Sequence, residues 1–239
     1  MTRTYSGLAI LLPLSACTIV QSPFSETLSA AGLDRVEASI ESGSVELRAG
    51  GPDIVVDGLS WGMAGGKDRA SEERDANRWD VVTAAGGLLL SAQSAGGGVD
   101  FTVTAPAHLD SQLVVASGDA TLTNMRGVHV VDACNIHVQG VSGYVDLYAE
   151  HDITGRLTPL SGDTLILTSE WGDVDIRLPW GAPIDLVVWA DPSEVLIVED
   201  LGFHSIVTAP GYFAARSGPG TILVDVFAPE GEVRISSSW

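Results

Sequence analysis

Short stretches in which apolar and polar residues alternate recur along this chain, most regularly between residues 117 and 178. Ser117-Gly118-Asp119-Ala120-Thr121-Leu122 sets the pattern, and Ser142-Gly143-Tyr144-Val145-Asp146-Leu147 repeats it. Ser161-Gly162-Asp163-Thr164-Leu165-Ile166 and Trp171-Gly172-Asp173-Val174-Asp175-Ile176 follow, with weaker copies at residues 126–130, 134–138 and 151–154. Side chains two apart share one face of a strand, so Val145 and Leu147 are expected inside around an outward Asp146. Val174 and Ile176 repeat this around Asp175, and Val128 and Val130 around His129. The copies return about every eight to eleven residues, the signature of stacked repeats. Two strands with their corners, roughly sixteen to twenty residues, make one coil, and the next coil sits about 4.8 Å above it. The predicted fold class is all-β: a parallel β-solenoid of short repeats, single-stranded and β-helix-like. A β-sandwich is the alternative, because its strands also come at even spacing between turn signals.

Outside that ladder, strands are expected at residues 36–40 and 45–48, as a hairpin-like pair about Glu41-Ser42-Gly43-Ser44. Others fall at 54–59, 79–83, 88–92 and 99–104. Runs at 113–116, 184–189 and 233–235 each follow a strand that closes on Pro106, Pro179 or Pro229. Proline cannot donate to a ladder, so it marks a strand end. Residues 62–78 break the rhythm with glycines and the charges Lys67-Asp68-Arg69 and Glu72-Glu73-Arg74-Asp75. They read as an exposed charged loop with at most a short helical turn.

The N-terminus carries an address. Arg3 precedes the apolar run Leu8-Ala9-Ile10-Leu11-Leu12-Pro13-Leu14, too short to span a bilayer and laid out as a secretory signal. Leu14-Ser15-Ala16-Cys17 resembles the lipobox of bacterial lipoproteins, which implies cleavage before Cys17 and its lipidation. Two or three acyl chains anchor a protein durably. Thr18, not Asp, follows the cysteine, which implies the outer membrane in a host that has two. Residues 1–16 are therefore a lipoprotein signal peptide, 17–32 a lipidated tether rich in Ser, Thr and Ala, and 33–239 the folded domain. Cys134 is the one other cysteine. It is expected to pack as a small residue at a corner, with a Cys17–Cys134 disulfide as the competing idea.

Composition adds limits. Hydrophobic residues make up 45% of the chain and aromatic ones 6%, which suits a core of stacked Val, Leu and Ile. The formal net charge of −19 comes from 12 Lys+Arg against 31 Asp+Glu, and argues against nucleic-acid backbones and anionic lipid headgroups. Lipid, not charge, would hold the protein at a membrane. An envelope protein or a glycan is the expected partner.

The Gly-Asp-Val ladder, the strands closing on proline and the terminal Ser217-Gly218-Pro219-Gly220-Thr221-Ile222 and Gly231-Glu232-Val233-Arg234-Ile235 modules resemble the bacterial β-strand-repeat domains called "putative adhesins". The resemblance covers about residues 33–239. It implies a parallel β-solenoid behind a lipobox or membrane anchor, and a binding, adhesion or scaffolding role with no catalytic residues.

Candidate chemistry is sparse. Carboxylate pairs such as Asp173 with Asp175, or Glu170 with Asp173, have the residue types for cleaving a glycosidic bond. A polysaccharide lyase or glycoside hydrolase on a β-helix is accordingly the alternative to a binding module. Acids on the outward row are otherwise a solvated face. No serine nucleophile is assigned, and Gly96-Gly97-Gly98 lacks the Lys of a phosphate loop. His129 and His137 are expected on opposite outer sides as surface histidines, so no metal site is assigned. Val233, Ile235 and Trp239 alternate like the last strand of an outer-membrane barrel, a route that the lipobox argues against. The candidate ligand site is Trp171 with Glu170, Asp173 and Asp175. An indole stands where the other copies keep Ser42, Ser117, Ser142 and Ser161, and clustered carboxylates admit Ca²⁺. Packing beside Trp180 or Trp189 is the competing role for Trp171. No cofactor is otherwise expected.

Overall fold

A computed structural model describes residues 17–190, 195–197 and 201–238; the expected signal peptide, residues 1–16, and Trp239 lie outside them. The chain is all-β, with one helix among the described residues. The first part holds β1 (Thr18–Ser29), β2 (Arg35–Ile40), β3 (Gly43–Ala49), β4 (Asp53–Ala64), the helix α1 (Lys67–Ala76) and β5 (Arg78–Ala84). The middle holds β6 (Gly87–Gln93), β7 (Gly97–Ala105), β8 (Asp110–Val115), β9 (Gly118–Thr123), β10 (Arg126–Ala133), β11 (Asn135–Ala149), β12 (Ile153–Leu157), β13 (Thr164–Ser169) and β14 (Val174–Pro179). The last part holds β15 (Ile184–Ala190), β16 (Val195–Ile197), β17 (His204–Ala209), β18 (Tyr212–Arg216), β19 (Ile222–Ala228) and β20 (Val233–Ser238).

The strands alternate between two sheets. Sheet I runs β1-β4-β7-β3-β9-β11-β12-β14-β20-β16. Sheet II runs β5-β6-β2-β8-β10-β11-β13-β19-β15-β18-β17. β11 belongs to both, bending at Gly140 where the register shifts, and so joins them into one curled sheet. Pairing is parallel throughout the middle. Antiparallel pairs occur at the ends of the two sheets, in β1–β4, β4–β7 and β5–β6 at one end and β15–β18 and β17–β18 at the other.

Period-2 alternation fixes what each strand buries. Val145, Leu147, Val174 and Ile176 are fully buried in one apolar cluster that draws on both sheets. Asp146 and Asp175 stand on the outward row, half-exposed. Each such buried aliphatic contributes about 1.5–3 kcal/mol. β10 is in the opposite phase to expectation: His129, Val131 and Ala133 point in, and Val128 and Val130 point out at 45% and 38% exposure. A slip of one residue exchanges the faces of a strand.

The corners explain the recurring Gly-Asp pair. At Gly118 φ is +144°, and a Cβ would stand 1.7 Å from the Gly43 carbonyl oxygen of the next strand. Any side chain would push the strands apart. The polar residue then reaches along the stack. Asn135 Oδ1 accepts from the Asp152 N–H (3.3 Å), Asp152 Oδ1 from the Asp173 N–H (2.9 Å), and Asp173 Oδ1 from the Glu232 N–H (2.8 Å). Corner carboxylates thus satisfy the backbone of the neighbouring turn, not only their own.

Three expectations about the first part change. Residues 18–29 are not a tether but strand β1, paired along its length with β4. Phe24 stacks on Trp79 at 3.6 Å and meets Phe101 edge-on at 5.7 Å. Residues 62–78 are not a loop: they end β4, form the ten-residue α1 and begin β5. Gly62 lets the helix lie close, since a Cβ there would meet the Ala70 carbonyl oxygen at 2.2 Å. Buried Asn77 fastens its end, donating to the carbonyls of Trp61 (2.8 Å) and Gly98 (3.0 Å). Finally, β2 and β3 are no hairpin; they lie in different sheets, and Ser42-Gly43 turns the corner between them.

Candidate functional site

Of the four expected ligand residues, Glu170, Trp171 and Asp173 share one corner and Asp175 stands on a strand. Trp171 sits 53% exposed at the corner between β13 and β14. Its backbone N–H donates to the carbonyl of Glu150, at the corner between β11 and β12 (2.9 Å). Buried Ser169 builds that corner, its Oγ bonded to the N–H and C=O of Gly172. Asp173 is committed to the Glu232 backbone, and Asp175 lies away from the corner on the outer row of sheet I. Among the described residues no three His, Cys, Asp or Glu side chains are placed to hold a metal ion. Cys17 is exposed and Cys134 half-buried, both as free thiols.

His129 is the clear departure from expectation. It is fully buried, with Nδ1 2.9 Å from Ser111 Oγ and Nε2 without a partner. Burial lowers its pKa to about 4, against a smaller opposing pull from Asp110, so it is neutral at pH 7. A bare acceptor is cheaper to bury than an orphan N–H, which favours the tautomer that donates from Nδ1 to Ser111. His137 is exposed as expected and bonds Thr154 Oγ1 at 3.1 Å.

The expectation that the chain has no Gly-x-Ser-x-Gly motif needs correcting, since Gly58-Leu59-Ser60-Trp61-Gly62 spells one. In a nucleophile elbow the serine stands on a turn between strand and helix. Here Ser60 lies within β4, buried, bonded to Asn77 Nδ2 (3.3 Å) and the Arg74 carbonyl (3.4 Å). No histidine is among its hydrogen-bond partners, and the hydroxyl serves to fasten α1.

The outer face of sheet II holds the features that the alternation hid. Cross-strand register sets Tyr148, Thr168, Phe227, Trp189 and Tyr212 in one row over β11, β13, β19, β15 and β18. At a strand spacing of about 4.8 Å the row is roughly 19 Å long. Phe227 and Trp189 are each 48% exposed and Tyr148 is 41% exposed. Trp189 and Tyr212 touch with ring centroids 4.6 Å apart. A parallel row carries Tyr144 and Leu223, also exposed, and between the two lie Asp146 and Asp225. Glu170 joins this wall from the corner, accepting the Tyr148 hydroxyl at 2.7 Å. That bond raises the Tyr148 pKa above the usual phenol value. Of the predicted residues, then, Glu170 reaches the aromatic wall. The wall was detectable in strands apolar on both rows, such as Gly143-Tyr144-Val145-Asp146-Leu147-Tyr148 and Leu186-Val187-Val188-Trp189.

No protein-family model matches the chain, and no curated protein matches it. Two solved structures resemble it. One is a "putative cell adhesion protein" from Clostridium sporogenes, 12% identical, covering 92% of this chain and 100% of that one, with a TM-score of 0.43. The other is a "putative adhesin" from Bacteroides fragilis, 13% identical, covering 91% and 97%, with a TM-score of 0.30.

Proposed function

We propose that this protein is a lipid-anchored cell-envelope module, a two-sheet β-solenoid that binds a glycan on the outer wall of sheet II. The aromatic row from Tyr148 to Tyr212 carries this reading. Exposed large apolar side chains in contiguous rows mark interaction surfaces, and the rings of Phe227, Trp189 and Tyr212 on three successive strands, with Tyr148 beyond Thr168, offer stacking faces at a repeat comparable with linked pyranose rings. The acids between the rows, Asp146 and Asp225, supply acceptors for sugar hydroxyls. Rigid strands hold the rings in place before binding, so little ordering cost remains. Cys17, the proposed lipid site, immediately precedes β1, which is itself docked. The domain would therefore sit directly on the membrane rather than on a flexible stalk.

Binding without cleavage fits the carboxylates, since Asp173 is held by backbone and Glu170 by Tyr148. The test is affinity electrophoresis and fluorescence titration against envelope polysaccharide extracted from the host. Trp189→Ala with Phe227→Ala is expected to weaken binding about tenfold or more while keeping the wild-type circular dichroism spectrum. Unchanged binding by that folded double variant removes the wall as the site. Shortened polysaccharide after incubation transfers the assignment to a glycan-cleaving enzyme. Mass spectrometry of the mature N-terminus checks the anchor: a diacylglyceryl Cys17 is expected, and an unmodified thiol refutes it.

A further inference from the structure

The other outer face, on sheet I, carries a depression of about 810 Å³ across β11, β12, β14 and β20. One register row through it reads His137, Thr154, Asp175, Arg234, and the next Gln139, Arg156, Arg177, Ser236. The wall is drawn in at β12. Its inward slot is Gly155, φ +129°, where a Cβ would stand 1.9 Å from the Val138 carbonyl oxygen. Three of the chain's 12 basic residues meet here around a single carboxylate, in a protein of formal charge −19. The remainder of the surface is acidic, so this placement runs against the whole-molecule field.

What sets these arginines apart is their clustering: among the described residues Lys67, Arg78 and Arg126 also lack an ion pair, but they stand apart from one another, in α1, β5 and β10. Arg35, Arg48, Arg69, Arg74 and Arg216 each lie beside a carboxylate. Among the described residues Arg156, Arg177 and Arg234 have no such ion pair. Arg156 is held by a neutral group: with its side-chain amide oriented so that the oxygen faces Arg156, Gln139 accepts from Arg156 Nη2 (2.9 Å) and Nε (3.2 Å). That fixes the guanidinium without a carboxylate paired to it. Arg156 and Arg177 are direct cross-strand neighbours, and like charges opposite one another destabilise a sheet. A cost kept at an open depression, with one fork already positioned, is the arrangement that an anion relieves. Guanidinium forks match carboxylate, sulfate and phosphate oxygens in pairs, and Thr154 and Ser236 add hydroxyl donors.

We infer that this depression is an oxyanion-binding site, formed by Arg156, Arg177 and Arg234, that takes the carboxylate or sulfate groups of an acidic glycan. It is independent of the aromatic wall, which lies on the other sheet. The test is isothermal titration of the intact soluble domain with galacturonate oligosaccharides and, separately, with inorganic sulfate. Oligosaccharide is expected to bind, with affinity falling as salt rises. Arg177→Gln is expected to weaken it about tenfold or more while leaving the melting temperature unchanged or higher, because a repulsion is removed. Arg177→Lys keeps the charge but not the fork and should fall between. Sulfate binding without oligosaccharide binding keeps the oxyanion site and names a free ion as its source. Absence of binding by both probes, or binding that survives Arg156→Gln with Arg177→Gln, overturns the inference. Trp189→Ala should leave this titration untouched, which separates failure here from failure of the wall.

Discussion

His129 is the residue whose surroundings say most about its own behaviour. Its ring fills an inward slot between Ser111 and Val145 on the neighbouring strands. Burial lowers its pKa to about 4 from 6.5, so the folded chain refuses a proton that the unfolded chain accepts. Stability is therefore complete above about pH 6.5 and is lost as pH falls towards about 4, by about 3 kcal/mol at most. Replacing the pair with Ser111→Ala and His129→Leu should flatten that part of the pH dependence in urea melts. An unchanged slope between pH 6.5 and 4 would mean that other groups carry it. The burial was not legible because β10 offers two apolar rows, Val128 and Val130 against Val131 and Ala133, and alternation cannot choose between them. Where one row is polar, as around Asp146 and Asp175, the inward side chains were read correctly.

At the scale of elements, the corner ladder decides how neighbouring turns are held together. Asp173→Ala leaves the Glu232 N–H without its acceptor and should cost about 1–2 kcal/mol. Asp173→Asn keeps an amide oxygen there, as Asn135 does two turns away, and should recover most of the loss in thermal melts. If asparagine were as damaging as alanine, the carboxylate would have a role beyond accepting that bond. Gly-Asp is recognisable as a turn signal, but its reach to the neighbouring corner depends on strand pairing that no local window contains. The same limit hid β1 and α1. β1 is rich in Ser and Thr, and only Phe24 and a few other apolar residues tie it inward. α1 buries Ala70 alone and has no apolar period; Gly62 and Asn77, distant in sequence from one another, position it.

For the whole molecule, order in the chain and order in the stack disagree at both ends. β2 and β3 lie between β6 and β8, and between β7 and β9, so neither stands at a sheet edge. At the other end β19 sits between β13 and β15, and β20 between β14 and β16. β19 and β20 are therefore internal strands. Removing an edge strand frees one neighbour; removing β19 or β20 frees two. Ile222, Val224, Val226, Val233 and Ile235 are all buried, together on the order of 10 kcal/mol of apolar burial. A whole domain retains only about 5–15 kcal/mol. A chain ending at Ser217 should therefore lose its cooperative melt and become sensitive to protease through β13–β15. Replacing β17 and β18 by a short Gly-Ser linker removes the end hairpin instead, and should lower the melting temperature while keeping one transition. Retention of the wild-type melt by the chain ending at Ser217 would show that β19 and β20 are peripheral, contrary to their pairing.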